Sequence, residues 1–547
     1  MPLLSPIAID ANYDDNNIDN IDNNHIIPTN NDMIINNNNS DSGGDVNNDI
    51  INNKGDDDVA INNELKKNTL SLTHCLAMSI SGIGPTCGLY FVVGQIAKVA
   101  GANVPFTLIL ATICCLSMAS TISTFGNYIY SSASFYCYVS EGLGGTMGFI
   151  TGWFMLVGYG ILTVQTVIQF SSWTSDVFMN DLSADVPWVV FAAIVLVLIG
   201  SLAYIGINPA LKISLVLVCC ETVILLVLTV IIVAKGGAEG NYPLAFTPVG
   251  KYSGGFGGLS TGLVFSILVF VGFESAAILG AETKNPRRTI PQAVVGSVLI
   301  TSTWMTWGMY AVIIAVGPSN AFTLYEINSP MHVFAKKYIG QWFAYLIDIA
   351  GISTTFNVCT VSFNNMYRIL YSLGKADMHP SFNLLAKTSV RFKTPLASII
   401  FFTIAQAVFV IIIAACFGLK TTGSWKAYGY LSYIGTLPLI FVFIFTNIAV
   451  IFYVKNKHPQ DFHRFYHLAL PIFSGLLFVI VLFGNFYPDY PTPPNSYWLI
   501  FLGVAMLAGI ILALVLRSKK GMFENMLLMI QSGGEETNSE PKHVHIQ

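Results

Sequence analysis

The sequence predicts an all-α polytopic membrane protein with about twelve transmembrane helices. Hydrophobic residues make up 53% of the 547 residues, charged residues only 10%, and apolar runs follow one another from residue 70 onwards. A soluble domain carries about 25% charged residues, and a helix needs about 20 apolar residues to cross a bilayer. Most of the surface of this chain must therefore contact lipid.

Charge is divided unevenly between an N-terminal tail and the apolar body. Residues 1–65 hold twelve Asp, one Glu and one Lys, whereas the rest of the chain holds 25 basic and 17 acidic residues. The Asn- and Asp-rich tail shows no helical or strand period, and it has too few apolar groups to offset the entropy lost on ordering. We expect it to be disordered. Neither part has the dense basic patch of a nucleic-acid-binding protein.

Twelve apolar runs define the expected spans. Their predicted bounds are 72–98, 105–127, 145–171, 187–207, 212–234, 256–281, 292–316, 340–373, 394–418, 427–454, 466–487 and 496–516. Loops and termini on one side of the membrane then carry 17 Lys and Arg residues, and those on the other side carry seven. Because the more basic side is usually cytoplasmic, both termini are expected in the cytosol. The expected membrane is the plasma membrane or an endosomal or vacuolar membrane.

Two spans contain helix-breaking residues at their centres. Span 1 contains Gly82-Ile83-Gly84-Pro85, and span 6 contains Phe270-Val271-Gly272-Phe273-Glu274. Glycine and proline interrupt helices, although proline suits the first position of a new helical segment. Interrupted helices at matching positions of two halves are typical of transporter binding sites. The alternative is that the glycines only allow close helix packing.

The chemistry of these breaks suits a zwitterion. Free amides near Gly82 and Gly84 would lie at a positive helix end, where they can bind a carboxylate. Free carbonyl groups from both breaks, together with Glu274, could bind an ammonium group. We therefore expect an amino acid as ligand.

Four stretches resemble a known family. The sixth-span segment Gly272–Ser275 with its following loop 281–291 resembles the signature of the amino acid–polyamine–organocation (APC) permeases, and 82–84, 144–153 and 368–373 are also similar. The resemblance covers residues 70–516. It implies secondary active transport by alternating access and an inverted five-plus-five repeat with discontinuous helices 1 and 6. It places substrate contacts at Gly82, Ile83, Gly84, Phe270, Gly272 and Phe273.

Four segments follow from this resemblance and from composition. Residues 1–69 are a disordered cytoplasmic tail, and 70–456 are the core transport domain of spans 1–10, with inverted repeats at 70–235 and 252–456. Residues 457–517 hold two additional transmembrane helices, and 518–547 are a cytoplasmic C-terminal tail.

Three acidic residues within spans are candidates for ion coupling. Glu221 and Glu274 are the proton-coupling candidates, whereas Asp348 is expected to be partly hydrated near the outer end of span 8. Alternatively, each glutamate is a neutral or hydrogen-bonded group at a helix contact. Ser353 and Thr354 resemble the hydroxyl pair of sodium-coupled relatives. We expect symport with protons, with sodium as the less favoured alternative.

Other classes of function find less support. None of the nine histidines lies deep in a span, and none of the nine cysteines shows metal-ligand spacing, so we expect no enzyme, metal or cofactor. A polyamine or other organic-cation transporter of the same fold remains an alternative, as does a non-transporting nutrient receptor on this scaffold. The sequence leaves the amino acid carried, the oligomeric state and any partner subunit open.

Overall fold

The computed structural model describes residues 69–129, 134–327, 329–375, 383–389, 391–484 and 495–517. The two predicted tails, residues 1–69 and 518–547, lie outside the described residues except for residue 69. Within the described ranges the regular structure is helical, and strand pairing is limited to two isolated β-bridges. The predicted all-α class is confirmed.

Twelve helices in the described ranges are long and apolar enough to cross a membrane, as the sequence predicts. Spans 1 to 12 are Leu72–Ala100, Val104–Gly126, Gly145–Leu182, Trp188–Ile205, Ile213–Ala234, Gly255–Ile278, Pro286–Val316, Gln341–Gly374, Leu396–Phe417, Thr421–Lys457, Phe465–Phe483 and Leu499–Arg517. The chain is thus a multi-pass integral membrane protein. Span 3 departs most from its predicted bounds, because it continues to Leu182 instead of ending at residue 171.

Shorter helices connect some of the spans. They are Ser134–Leu143, Pro243–Phe246, Gly280–Glu282, Pro318–Glu326, Pro330–Tyr338, Leu384–Ala386 and Pro459–Asp461. The helix Pro330–Tyr338, between spans 7 and 8, is called the loop helix below. We call the end of the bundle at which span 1 begins the inner end and the opposite one the outer end; the charge count predicts that the inner end is cytoplasmic.

Burial separates a central group of spans from a peripheral one. In the most apolar stretch of span 1, 83% of residues are buried inside the protein, against 22% in span 11 and 17% in span 12. Large apolar side chains of peripheral spans are exposed, for example Val197 in span 4 and Ile411 in span 9. A water-facing surface of this kind would be unstable, whereas a lipid-facing one is expected.

Span 1 is interrupted at the predicted place. Its first helix ends at Ile83, Gly84 adopts a left-handed conformation with φ +60°, and Pro85 begins the next helical segment. A π-helical turn, Gly88–Val92, follows before the regular helix resumes. The left-handed residue ends one helix and the proline starts another, as glycine and proline do at helix ends.

Span 6 is interrupted more widely. Its helix ends at Phe270, and a short helix begins again at Ser275. Gly272 lies between them with φ +115°, a conformation that side chains rarely allow. Discontinuity of spans 1 and 6 is therefore confirmed, whereas the inverted relationship between the two halves remains a prediction.

Candidate functional site

Spans 1 and 6 contact each other at their breaks. A Cβ atom on Gly272 would lie 2.4 Å from the carbonyl carbon of Gly82, and one on Gly82 would lie 3.0 Å from the carbonyl oxygen of Gly272. Both positions therefore require glycine for backbone contact. Close packing and a binding site are the two interpretations of these glycines; the structure shows the close packing, and the binding site remains a prediction.

A cavity lies beside this contact, between spans 1, 3, 6, 8 and 10. Gly82, Ile83 and Gly272 are the predicted contacts that line it. Its polar wall consists of Tyr159, Gln165, Thr166, Gln169, Ser362, Asn365, Tyr428 and Ser432. Its apolar wall includes Cys87, Val92, Leu162, Leu268, Val269, Val271 and Val358. A small amphipathic molecule would find partners on both walls.

The cavity lining is uncharged. Among the described residues that line it, none is Asp, Glu, Lys, Arg or His. A ligand with net charge would therefore lose its hydration without gaining an ionic partner. Backbone groups at the helix ends can instead bind opposite charges that cancel within one ligand.

An aromatic vestibule lies on the outer side of the cavity and shares four lining residues with it. Val92, Leu268, Tyr428 and Ser432 line both spaces. Phe91, in the vestibule wall, stacks on Trp425 at a centroid distance of 5.4 Å. It also meets Trp173 edge to face at 5.3 Å. Phe91 and Trp425 are therefore part of an aromatic cluster in the vestibule wall, supported from behind by Trp173.

The inner end is closed by polar contacts. Arg368 of span 8 forms a buried ion pair with Glu282, which follows span 6. The amides of Thr69 and Leu70 donate to the carbonyl oxygen of Glu282, at 2.9 and 3.1 Å, and the amide of Lys284 donates to that of Leu70 at 2.8 Å. Segments from spans 1, 6 and 8 therefore meet at the inner end.

Glu274 is fully buried and belongs to the break itself. Its Oε2 accepts a hydrogen bond from the amide of Gly272 at 3.0 Å, and its Oε1 accepts one from the hydroxyl of Tyr159. Glu274 does not line the cavity, whereas Tyr159 does. The carboxylate thus stabilises the turn in span 6, and its hydrogen bond to Tyr159 links it to a residue of the cavity wall.

Glu221 joins span 5 to spans 1 and 8. It accepts hydrogen bonds from Thr86 at 2.8 Å, from Ser353 at 2.5 Å and from the side-chain amide of Asn357 at 3.0 Å. The hydroxyl of Thr86 also bonds that of Thr354. Glu221 and the hydroxyl pair, which the sequence singled out separately, therefore form one cluster directly after the break in span 1.

The other singled-out residues lie outside the cavity wall. Gly84 allows close approach of span 8, since a Cβ there would lie 2.3 Å from Val358 Cγ2. Phe270 and Phe273 are buried, and the ring of Phe273 packs against Phe443 at 5.9 Å. Asp348, expected to be partly hydrated, is only 3% exposed and bonds His332.

Sequence reasoning missed most of the polar wall. Gln165 and Gln169 lie one helical turn apart in span 3, and Asn365 lies in span 8. Uncharged amides at membrane depth are themselves a signal, because an unbonded polar group is costly in lipid. That signal could have identified these three residues, but it could not have shown that they line the same cavity.

Known amino acid permeases match most of this chain. Residues 70–510 match the family model described as amino acid permease. The branched-chain amino acid permease BcaP of Bacillus subtilis is 23% identical over 425 residues, which is 74% of this chain and 85% of that protein. The amino-acid permease AapA of the same organism is 23% identical over 429 residues, or 75% and 88% of the two chains.

A mammalian protein is also similar. The cationic amino acid transporter 4 of Mus musculus is 22% identical over 419 residues, which is 72% of this chain and 62% of that protein. The named relatives are permeases and transporters rather than enzymes. The segment that matches the family model contains all of the cavity wall. The chain belongs to the amino acid permease family of the APC superfamily.

Proposed function

We propose that this protein carries uncharged α-amino acids across a membrane by alternating access, coupled to protons. The observation that carries the proposal is the cavity itself, which lies against the breaks of spans 1 and 6 and has no charged side chain among its described lining residues. A zwitterion brings one positive and one negative charge, and the two helix breaks supply partners for both.

The carboxylate of the substrate would bind at the break in span 1. A helical segment begins at Pro85. The first amides of such a segment have no intrahelical acceptor, and the helix dipole favours an anion at this end. The amides of Val271, Gly272 and Phe273 in span 6 already donate to other groups. Span 1 is therefore the better candidate for the carboxylate.

The ammonium group would bind where helices end. The first helix of span 1 ends at Ile83, and that of span 6 ends at Phe270. The last carbonyl groups of a helix lack intrahelical partners and carry partial negative charge. Ile83 and Val271 both line the cavity, which brings the two helix ends to the same ligand.

The substrate side chain would be uncharged. Leu162, Leu268 and Val358 offer an apolar surface, and Gln165 and Gln169 offer amides. A basic side chain or a polyamine would carry a positive charge into a wall without a carboxylate, at a cost in desolvation. Similarity to BcaP, named as a branched-chain amino acid permease, supports an apolar side chain.

Alternating access would require the two ends of the cavity to open in turn. The inner end is closed by the Arg368–Glu282 pair, and the outer vestibule shares residues with the cavity. In the proposed outward-facing form, ligand would enter through the vestibule. Separation of Arg368 from Glu282 would open the inner end.

Protons would couple through Glu221. When its carboxylate takes up a proton, the hydrogen bonds from Thr86 and Ser353 lose the acceptor charge that strengthens them. Thr86 directly follows Pro85, so the change acts on the break that would bind the substrate. Hydroxyl and carboxylate oxygens also suit a hard cation, and sodium is therefore the alternative coupling ion. Glu274 is the second proton candidate.

A binding experiment tests the proposed substrate class. Purified full-length protein in detergent is titrated with neutral, basic and acidic amino acids and with polyamines, and the shift in melting temperature is followed. We expect stabilisation by neutral amino acids alone. Gln165→Glu places a carboxylate in the wall and should shift preference towards basic amino acids.

Gln95→Glu is the matched control, because Gln95 lies in the outer vestibule and does not line the cavity. It should leave the preference unchanged. Stabilisation of the unaltered protein by polyamines alone would support the organic-cation alternative. Binding of amino acids without any uptake into vesicles would support the receptor alternative.

A further inference from the structure

We propose that Asp181, His332 and Asp348 form a binding site for a divalent transition-metal cation of the zinc class, which regulates transport from the outer end. The three residues come from three different elements, which are span 3, the loop helix and span 8. Each offers one ligand atom, and these atoms all lie within 4.8 Å of one another.

The ligand set matches the chemistry of such a cation. Zinc is bound by imidazole nitrogen and carboxylate oxygen at about 2.0–2.2 Å, commonly with three protein ligands and one water. Calcium and magnesium prefer six or more oxygen ligands, which this cluster does not supply. Two carboxylates and one imidazole would also balance the charge of a divalent ion.

Little movement is needed to bind the ion. Nδ1 of His332 donates a hydrogen bond to Oδ2 of Asp348 at 2.6 Å. A cation would replace the proton on Nδ1, which leaves to solvent, and the two ligand atoms would then separate slightly around the ion. Asp181 and His332 are half-buried and Asp348 is buried, so an ion could enter from the outer side.

The site lies where it can affect passage of the substrate. The indole of Trp173 donates to the carbonyl oxygen of Asp348 at 3.3 Å, and the hydroxyl of Tyr90 donates to that of Ile347 at 2.6 Å. Trp173 packs edge to face against Phe91, whose ring forms part of the vestibule wall. An ion at Asp348 would therefore hold the backbone that supports these aromatic rings.

A bound cation would leave the loop helix attached to the transmembrane spans at both of its ends. Its last residue, Tyr338, accepts a hydrogen bond from Lys235 at the end of span 5, at 2.9 Å. His332 lies in its first turn, so the cation would fix the other end of the same helix to spans 3 and 8. Both of these spans line the cavity. Fixing their outer ends together should slow the movement that transport requires.

Zinc binding to the purified full-length protein tests the site without relying on transport. Saturation with Zn²⁺ is measured by calorimetry and by the rise in melting temperature, for the unaltered protein and for the His332→Gln and Asp181→Asn variants. We expect each variant to weaken Zn²⁺ binding at least tenfold, since even partners that only orient a ligand contribute that much. Asp185→Asn, an exposed carboxylate four residues from Asp181, should bind Zn²⁺ as the unaltered protein does.

Three outcomes would overturn the proposal. Equal Zn²⁺ affinity in the unaltered protein and both variants would place any bound ion elsewhere. Displacement of Zn²⁺ by an equal concentration of Ca²⁺ would contradict a site of the zinc class. If Zn²⁺ binds at these residues but slows uptake equally in the unaltered protein and in Asp181→Asn, the site does not regulate transport.

Discussion

The hydroxyl of Ser79 in span 1 donates a hydrogen bond of 2.8 Å to the carbonyl oxygen of Phe273 in span 6. The same hydroxyl accepts a bond of 3.1 Å from the amide of Ala276, in the short helix that follows the break. One side chain of span 1 therefore bonds the backbone both within the interruption in span 6 and directly after it. It satisfies two groups that the broken helix leaves without intrahelical partners.

Replacement of Ser79 by Ala should weaken this connection. Two buried backbone groups would lose their partner, and each such loss costs about 1–3 kcal/mol. We expect a lower melting temperature and a fall in amino acid uptake of roughly tenfold, because about 1.4 kcal/mol corresponds to that factor.

Ser123→Ala is the matched control, since the hydroxyl of Ser123 bonds only the carbonyl of Ala119 within its own helix among the described contacts. Its uptake should remain unchanged. Equal uptake by the Ser79 variant and this control would show that the bridge between spans 1 and 6 has no role in transport.

Replacement of Gly82 by Leu should abolish uptake without preventing membrane insertion. A Cβ there would already lie 3.0 Å from the Gly272 carbonyl oxygen and 3.0 Å from Ser275 Oγ, and a longer side chain would also enter the cavity. Uptake and the amount of protein in the membrane are measured together. Gly503→Leu is the control, because a Cβ on Gly503 in span 12 meets nothing within 4 Å. Normal uptake by the Gly82 variant would rule out this location for the substrate.

The Arg368–Glu282 pair should behave as a coupled unit. Removing one member of a buried ion pair costs about 3–5 kcal/mol, because the other charge stays buried without a partner. We expect Arg368→Gln to lower the melting temperature strongly, and Arg368→Gln with Glu282→Gln to recover part of the loss. If the two single effects simply add in the double variant, the residues do not interact at the inner end.

Glu221→Gln should remove the dependence of uptake on external pH. Glutamine cannot take up the proton, so an inward proton gradient should no longer accelerate uptake, although some exchange of substrate should remain. Uptake is measured from pH 5 to 8 with and without the gradient. An unchanged pH profile would exclude Glu221 as the coupling residue and leave Glu274 to be tested.

Glu239→Gln is the control for that experiment. The hydroxyl and amide of Ser319 donate to Glu239 and hold the pKa of this carboxyl below its ordinary value. The ionised Glu239 therefore contributes to the stability of the folded protein at any pH above the ordinary pKa. This contribution is lost only as the pH falls through the lowered pKa, which lies outside the range tested. The Glu239 variant should keep the pH profile of the unaltered protein.

The sequence predicts the spans and both breaks because these depend on local composition. Runs of apolar residues give the helices, and Gly82, Gly84, Pro85 and Gly272 mark the interruptions wherever the spans lie in space. The polar wall is different. Apolar residues occur all around these helices, so their pattern does not show which side of span 3 turns Gln165 towards span 10.

Clusters formed between distant spans could not be predicted for the same reason. The sequence singled out Glu221 and Ser353 separately, yet only helix packing shows that their side chains lie 2.5 Å apart. Asp181 and His332 were not identified as partners of Asp348, which lies 167 residues after Asp181 and 16 residues after His332 in the sequence. Such contacts depend on the arrangement of helices rather than on local pattern.

The most direct test of the central claim is uptake by the full-length protein in proteoliposomes. A panel of labelled neutral, basic and acidic amino acids and polyamines is offered, with an inward proton gradient and, separately, with a sodium gradient. We expect neutral amino acids alone to accumulate, and only when the proton gradient is present. Selective accumulation of polyamines, or accumulation that requires sodium and ignores protons, would contradict the proposed substrate or the proposed coupling.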